Sequence, residues 1–188
     1  MNITIGNPWA VSEKGGRLNN EDSIFPLPET ANSNQNLFLV CDGVGGAEKG
    51  EIASSLACES FQTFFSTFRE GEPNADFINK AIRYTEARFD DYVAIHPEAK
   101  GMATTLTMTF VGTTGITLAH VGDSRIYHFR KGEILFQTED HSLLRRSSTP
   151  SEHMNKKSPA LISSKSTTSA SVGRSVPWIA RMITFRCG

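Results

Sequence analysis

Cysteine is scarce in this chain of 188 residues: only Cys41, Cys58 and Cys187, with no Cys-x-x-Cys pair. That excludes a disulfide scaffold and a structural zinc site, and it points to a reducing compartment. The five histidines, His96, His120, His128, His141 and His153, form neither His-x-His nor His-Glu-x-x-His, which argues against a zinc hydrolase. No apolar run is long enough to span a bilayer, and the N-terminus has no basic-then-apolar leader. These two absences lead to the expectation of a cytoplasmic protein with no membrane partner. A formal net charge of −1 gives no excess with which to hold nucleic acid.

Aspartate is also missing from one whole region: none follows Asp140. Residues 1–146 sum to −6, and residues 147–188, in which Glu152 is the sole acid, sum to +5. Serine and threonine crowd the second region. The sequence therefore divides into a domain over 1–146 and a divergent Ser/Thr-rich basic tail over 147–188, expected to be disordered or non-native. A shifted reading frame or a truncated gene produces a composition break of this kind.

What is present in the first region alternates between two periods. Residues 2–13 carry Ile3, Ile5, Trp9 and Val11 at alternating positions, as an edge strand pair does. Leu37–Cys41 is a continuous apolar run and predicts a buried strand. From Glu51 to Phe68 the apolar residues Ile52, Leu56, Phe61, Phe64, Phe65 and Phe68 recur at three and four, the spacing of a helix. Asn74–His96 repeats that pattern, with Asn74 as N-cap and Pro97 as terminator. Ala103–Val111, Ile116–Val121, Arg125–Phe129 and Glu133–Gln137 then read as an antiparallel meander broken at Gly112–Gly115 and Arg130–Gly132. Strands, two helices and more strands imply helices layered on sheet, an α+β fold.

The chemistry concentrates where strands end. Asp42 terminates the apolar run and begins Asp42-Gly43-Val44-Gly45-Gly46, so a carboxylate sits at the rim of a core beside backbone that can turn sharply. Glu21, Asp22, Asp123 and Asp140 occupy similar positions next to Asn, Gly or Ser. Carboxylates gathered without cations raise one another's pKa, and Mg²⁺ or Mn²⁺, which prefer oxygen ligands, resolve that repulsion. Two such ions bridged by Asp42 could activate a water for in-line attack on phosphorus. Arg17, four residues before Glu21, is suited to clamp a phosphate through its planar guanidinium. The simpler reading of Arg17 is a solvated loop cation.

Five segments in order resemble the metal-dependent, type 2C serine/threonine protein phosphatases in their bacterial form. They are Arg17-x-x-Asn20-Glu21-Asp22, Asp42–Gly46, Met102-Ala103-Thr104-Thr105-Leu106, Val121–Tyr127 and Thr138-Glu139-Asp140-His141-Ser142. The resemblance spans about residues 5–146. It implies a layered α-β-β-α sandwich of two antiparallel sheets flanked by helices, incomplete at the C-terminus. It implies a centre of two Mn²⁺ or Mg²⁺ ions, with Asp42 bridging, Gly43 coordinating through its carbonyl and Glu21 acting directly or through water. Arg17 then binds the substrate phosphate, and Asp22 is a further ligand or supports one. Asp123 supports the metal centre or a weaker third site, or is a turn residue that orients Ser124 and Arg125. Asp140 and His141 organise the loop after the meander, and Thr104 and Thr105 pack a central strand. Val44 stands where eukaryotic members carry a histidine, so no general acid is expected there.

The resemblance also implies two late aspartates that ligate the first metal, and neither has a counterpart after Asp140. The activity expected is hydrolysis of phosphoserine or phosphothreonine on a protein substrate, opposing a Ser/Thr kinase. The alternative is a pseudophosphatase or truncated remnant that acts as a binding module.

Overall fold

The computed structural model describes residues 3–44, 49–69, 71–113 and 115–140, together with the backbone of two strands over 163–169 and 179–186. Among these residues the order is β1 (Asp22–Phe25), β2 (Leu37–Val44), α1 (Lys49–Phe68), α2 (Ala75–Ile95), β3 (Ala103–Thr104), β4 (Leu106–Val111), β5 (Gly115–Val121), β6 (Tyr127–Arg130), β7 (Glu133–Gln137), β8 (Ser163–Ser169) and β9 (Ile179–Arg186). The main sheet runs β1-β2-β4-β5-β9-β8 with β3 appended to β2, and β6 and β7 form a separate hairpin. All the pairings are antiparallel.

Strand β2 organises the sheet. Its side chains alternate between two faces, as a pleated strand requires. Leu37, Leu39 and Cys41 are buried, while Val40 and Val44 are exposed. The buried set joins Leu106, Met108 and Phe110 of β4 and Ala119 of β5 in one core with Ala57, Phe61 and Phe65 of α1 and Ile78 and Ile82 of α2. Both helices therefore cover the same face of the sheet. Aromatic rings link them: Phe77 of α2 sits 5.1 Å from Phe64 and 5.0 Å, edge-on, from Phe65. At the start of α2 the Asn74 side chain accepts from the Phe77 N–H at 2.9 Å, the cap that its position forecast.

The structure departs from the sequence reading in several places. Residues 3–13 contain no strand. Gly6 and Pro8 interrupt the alternation, and Trp9 is 87% exposed. The segment expected as one strand over Ala103–Val111 is divided at Thr105, whose N–H turns to the Asp42 carbonyl at 2.8 Å. The meander ends at β5: the Ile126 N–H goes to the Thr138 hydroxyl at 2.9 Å, and β6 pairs with β7 alone. Lys131 and Gly132, both at positive φ, make the turn between them. In the region over 147–188, where no periodicity was legible, β9 pairs with β5 and β8 with β9. The expectation of disorder over the rest of that region, residues 147–162, 170–178 and 187–188, lies outside the described residues, as do Gly45, Gly46, His141 and Ser142.

Candidate metal and phosphate site

Asp42 lies on the face of β2 turned away from the helices, one position beyond the buried Cys41. Asp22 on β1 is its direct cross-strand partner. Like charges placed opposite each other on one face are unfavourable, and either a shared proton or a cation relieves the repulsion. Two threonines fix the Asp42 backbone. The Asp42 N–H donates to the Thr105 hydroxyl at 3.0 Å, and the Asp42 carbonyl accepts from the Thr105 N–H at 2.8 Å and the Thr104 hydroxyl at 3.0 Å.

The next residue is held as tightly. Gly43 donates its N–H to the Glu21 carbonyl at 3.0 Å. A Cβ on Gly43 would collide with the Gly50 carbonyl at the start of α1, so only glycine fits this close approach. Gly50 in turn lies against the Glu21 carboxyl, which a Cβ there would meet at 3.1 Å. The Glu21 carboxylate is bonded to the Arg17 guanidinium at 3.1 Å, with the arginine side chain 68% exposed and the glutamate 19%. The loop that delivers them is stitched by Asn20, whose amide donates to the Ser12 hydroxyl at 2.8 Å and whose side-chain oxygen accepts from the Asp22 N–H at 3.1 Å.

Asp123 comes from the turn after β5. Gly122 there has φ of +94°, a conformation suited to glycine, and it packs on Thr105 so closely that a Cβ would stand 2.8 Å from the threonine methyl. Ser124 and Thr105 exchange a hydrogen bond between hydroxyls at 2.7 Å. Arg125 leaves in the other direction and forms two bonds of 2.7 Å with Asp140. Asp140 thus closes the base of the hairpin β6–β7, and this bidentate contact holds the Arg125 proton more firmly than usual. A cleft of about 310 Å³ opens on the outer face of β1 and β2 and is lined by Trp9, Val11, Asp22, Ile24, Phe38 and Val40, among others.

The electrostatics converge on Asp42. Partial burial pushes its carboxyl above the ordinary range, and the charges of Asp22 and Asp123 and a hydrogen bond with Asp22 push the same way, while Arg17 opposes them. The donors are oxygens only, carrying negative charge that one guanidinium does not offset, which suits a hard divalent cation. Among the described residues no three acidic, histidine or cysteine side chains close into a ready-made cage. The donors therefore gather about one carboxylate, and they fit Mn²⁺ or Mg²⁺ in chemistry.

Of the residues singled out in the sequence, Arg17, Glu21, Asp22, Asp42, Gly43 and Asp123 meet in this region. Asp140 does not; it belongs to the hairpin. Sequence reasoning assigned Thr104 and Thr105 to strand packing and overlooked the bonds they make to Asp42. Ser124 was named only as a residue that Asp123 orients, and Gly50 was not singled out. The legible signal was two hydroxyls beside each other in a stretch otherwise apolar at every second position.

The protein phosphatase 2C family matches residues 13–165. The serine/threonine protein phosphatase PstP of Mycobacterium tuberculosis is 32% identical over 131 residues, covering 68% of this chain and 23% of its own length. A putative protein phosphatase of Mycoplasma pneumoniae is 30% identical over 151 residues, covering 76% of this chain and 58% of its own length. The chain spans less than two thirds of either relative. In solved structures, phosphatase Stp1 of Staphylococcus aureus superimposes with a TM-score of 0.59 at 29% identity, covering 76% of this chain and 57% of that one. The PstP catalytic domain in complex with two manganese ions gives 0.53 at 29% identity, covering 71% and 53%.

Proposed function

The chain belongs to the protein phosphatase 2C family, and from that premise we propose that it hydrolyses phosphoserine or phosphothreonine on proteins with the help of Mn²⁺ or Mg²⁺. The observation that carries this reading is Asp42, held at the end of β2 opposite Asp22 and under the charge of Asp123, with Arg17 and Glu21 alongside.

The Asp42 carboxylate and the Gly43 carbonyl are the inner donors of the proposed centre, with Glu21 acting directly or through water and Asp22 and Asp123 supplying further oxygens. When bound, the metal supplies a water made acidic enough to be a nucleophile and a positive charge against the phosphoryl oxygens. Everything else falls to the chain. Thr104 and Thr105 fix the Asp42 backbone from which the carboxylate projects. Arg17, mostly exposed and anchored at one nitrogen by Glu21, keeps donors available to grip two oxygens of an incoming phosphate. Val44 offers no proton to the leaving group.

The substrate class on this reading is a phosphorylated protein, in the cytoplasm and set against a Ser/Thr kinase, with neither nucleic acid nor a membrane as partner. A second reading, a phosphoprotein-binding module without turnover, is favoured by one feature: among the described residues no three acidic, histidine or cysteine side chains close into a metal cage. Phosphate release from a phosphothreonine peptide separates the two. Turnover with Mn²⁺ that is lost with EDTA and in Asp42→Asn is the expected result. Peptide binding by a folded protein without any release of phosphate would establish the second reading instead.

A further inference from the structure

The bond between the Ser124 and Thr105 hydroxyls has a use that strand packing does not explain. Thr105 already serves Asp42 twice, accepting its N–H at 3.0 Å and donating to its carbonyl at 2.8 Å. Its hydroxyl oxygen carries two acceptor sites and one proton, so it can take the Asp42 N–H and still share a hydrogen with Ser124 at 2.7 Å. Ser124 adjoins Asp123, on a turn whose Gly122 packs against the Thr105 methyl. One side chain thus touches both the backbone of Asp42 and the turn that presents Asp123. Thr105 is buried, which shields these bonds from competition by water.

We infer that Ser124 is a positioning residue: through the Thr105 hydroxyl it sets where Asp123 stands relative to Asp42, and so sets the affinity of the site for its cation. The inference rests on the proposed metal-centred reading and adds to it a residue that neither touches the metal nor the substrate. The reasoning is geometric. Asp123 is exposed and its neighbour Arg125 is drawn off toward Asp140. Of the bonds made by the turn Gly122–Ser124, the one from Ser124 to Thr105 leads back toward Asp42. Without it, the turn keeps the Gly122 contact and its junction with β5 at Val121, and the carboxylate loses its side-chain tie to the strand that holds Asp42. Residues that orient ligands in this way typically contribute about 10- to 100-fold to metal affinity.

The test is Mn²⁺ binding to the whole chain by titration calorimetry, for the wild type, Asp42→Asn, Ser124→Ala, Thr105→Ser, Asp123→Asn and the double variant Ser124→Ala/Asp123→Asn. Thermal unfolding verifies that each is folded. Ser124→Ala is expected to weaken Mn²⁺ binding about tenfold, Thr105→Ser to stay within about twofold because it keeps the hydroxyl, and the double variant to match Asp123→Asn alone. Binding by Ser124→Ala equal to that of the wild type overturns the inference and leaves the metal-centred reading intact. A loss that persists in full in the Asp123→Asn background also overturns it, since Ser124 then acts on something other than Asp123. Wild-type protein that binds no Mn²⁺, with Asp42→Asn indistinguishable from it, overturns the metal-centred reading itself and the inference with it.

Discussion

Asp42 is a carboxylate placed where its charge is least welcome. Burial and two neighbouring acids raise its pKa above the unfolded value, so the folded state holds a proton more tightly than the unfolded state does. Stability attributable to this group therefore falls as pH rises from the ordinary carboxylate range through the raised folded value, and at neutral pH its charge destabilises the metal-free fold. Asp42→Asn removes the charge and keeps the shape. Metal-free Asp42→Asn should melt above the wild type at pH 7, the difference should close as the pH falls below the carboxylate range, and Mn²⁺ should raise the melting temperature of the wild type alone. Equal melting of the two metal-free proteins at pH 7 would contradict this account of Asp42. Its sequence neighbour carries no comparable reactivity: Cys41 is fully buried, and a hydrogen bond with Cys58 together with burial lifts its thiol well above the usual range, which keeps it an inert core thiol. Asp42 was legible because an apolar run that stops at Asp-Gly is visible in sequence. Thr105 and Ser124 were not, because their importance arises from a contact across 19 residues that no local pattern encodes.

Among the elements, the helices were the most legible. The spacing of apolar residues gave α1 and α2 to within two residues at their starts, and Asn74 marked the second start through a bond that the structure contains. Asn74→Ala should cost about 1 kcal/mol in denaturant unfolding, and a change below a few tenths would mean that the cap is redundant with the packing of Phe77. Strands proved harder. β6 and β7 have the composition of sheet-forming segments, yet Tyr127, Phe129, Ile134 and Leu135 are exposed. The Thr138 hydroxyl and the Arg125–Asp140 pair, directly flanking the two strands, fasten this hairpin at its base. Alternation of residue types reports which face a side chain takes; it is silent on which strand lies alongside.

Among the described residues the larger of two core clusters lies between the main sheet and the two helices. Phe61 of α1 is fully buried at its centre, 6.3 Å ring to ring from Phe65. Phe61→Ala should destabilise by about 3–5 kcal/mol, read from the urea midpoint at unchanged slope; a shift of less than 1 kcal/mol would place the centre of the core elsewhere. The layered α+β architecture followed from the order of periods along residues 1–146, because one period dictates a helix and the other a strand. The outer side of β5 was the part that sequence left open. It is filled by β9, with Leu118 in register with Ile183, from a segment whose polar neighbours hid any repeat. Sheet completion at that side is a long-range event, and local pattern carries no record of it.

The Asp42 amide is bonded to a side-chain hydroxyl, whereas its neighbours on β2 are engaged in ladders with β1 and β4. The two kinds of bond open by different routes. The ladders yield to water when strands part; the Asp42 amide yields when a single hydroxyl swings aside. Amide hydrogen exchange at residue 42 is therefore expected to respond to loss of the Thr105 hydroxyl, while exchange along the rest of β2 follows the opening of the sheet.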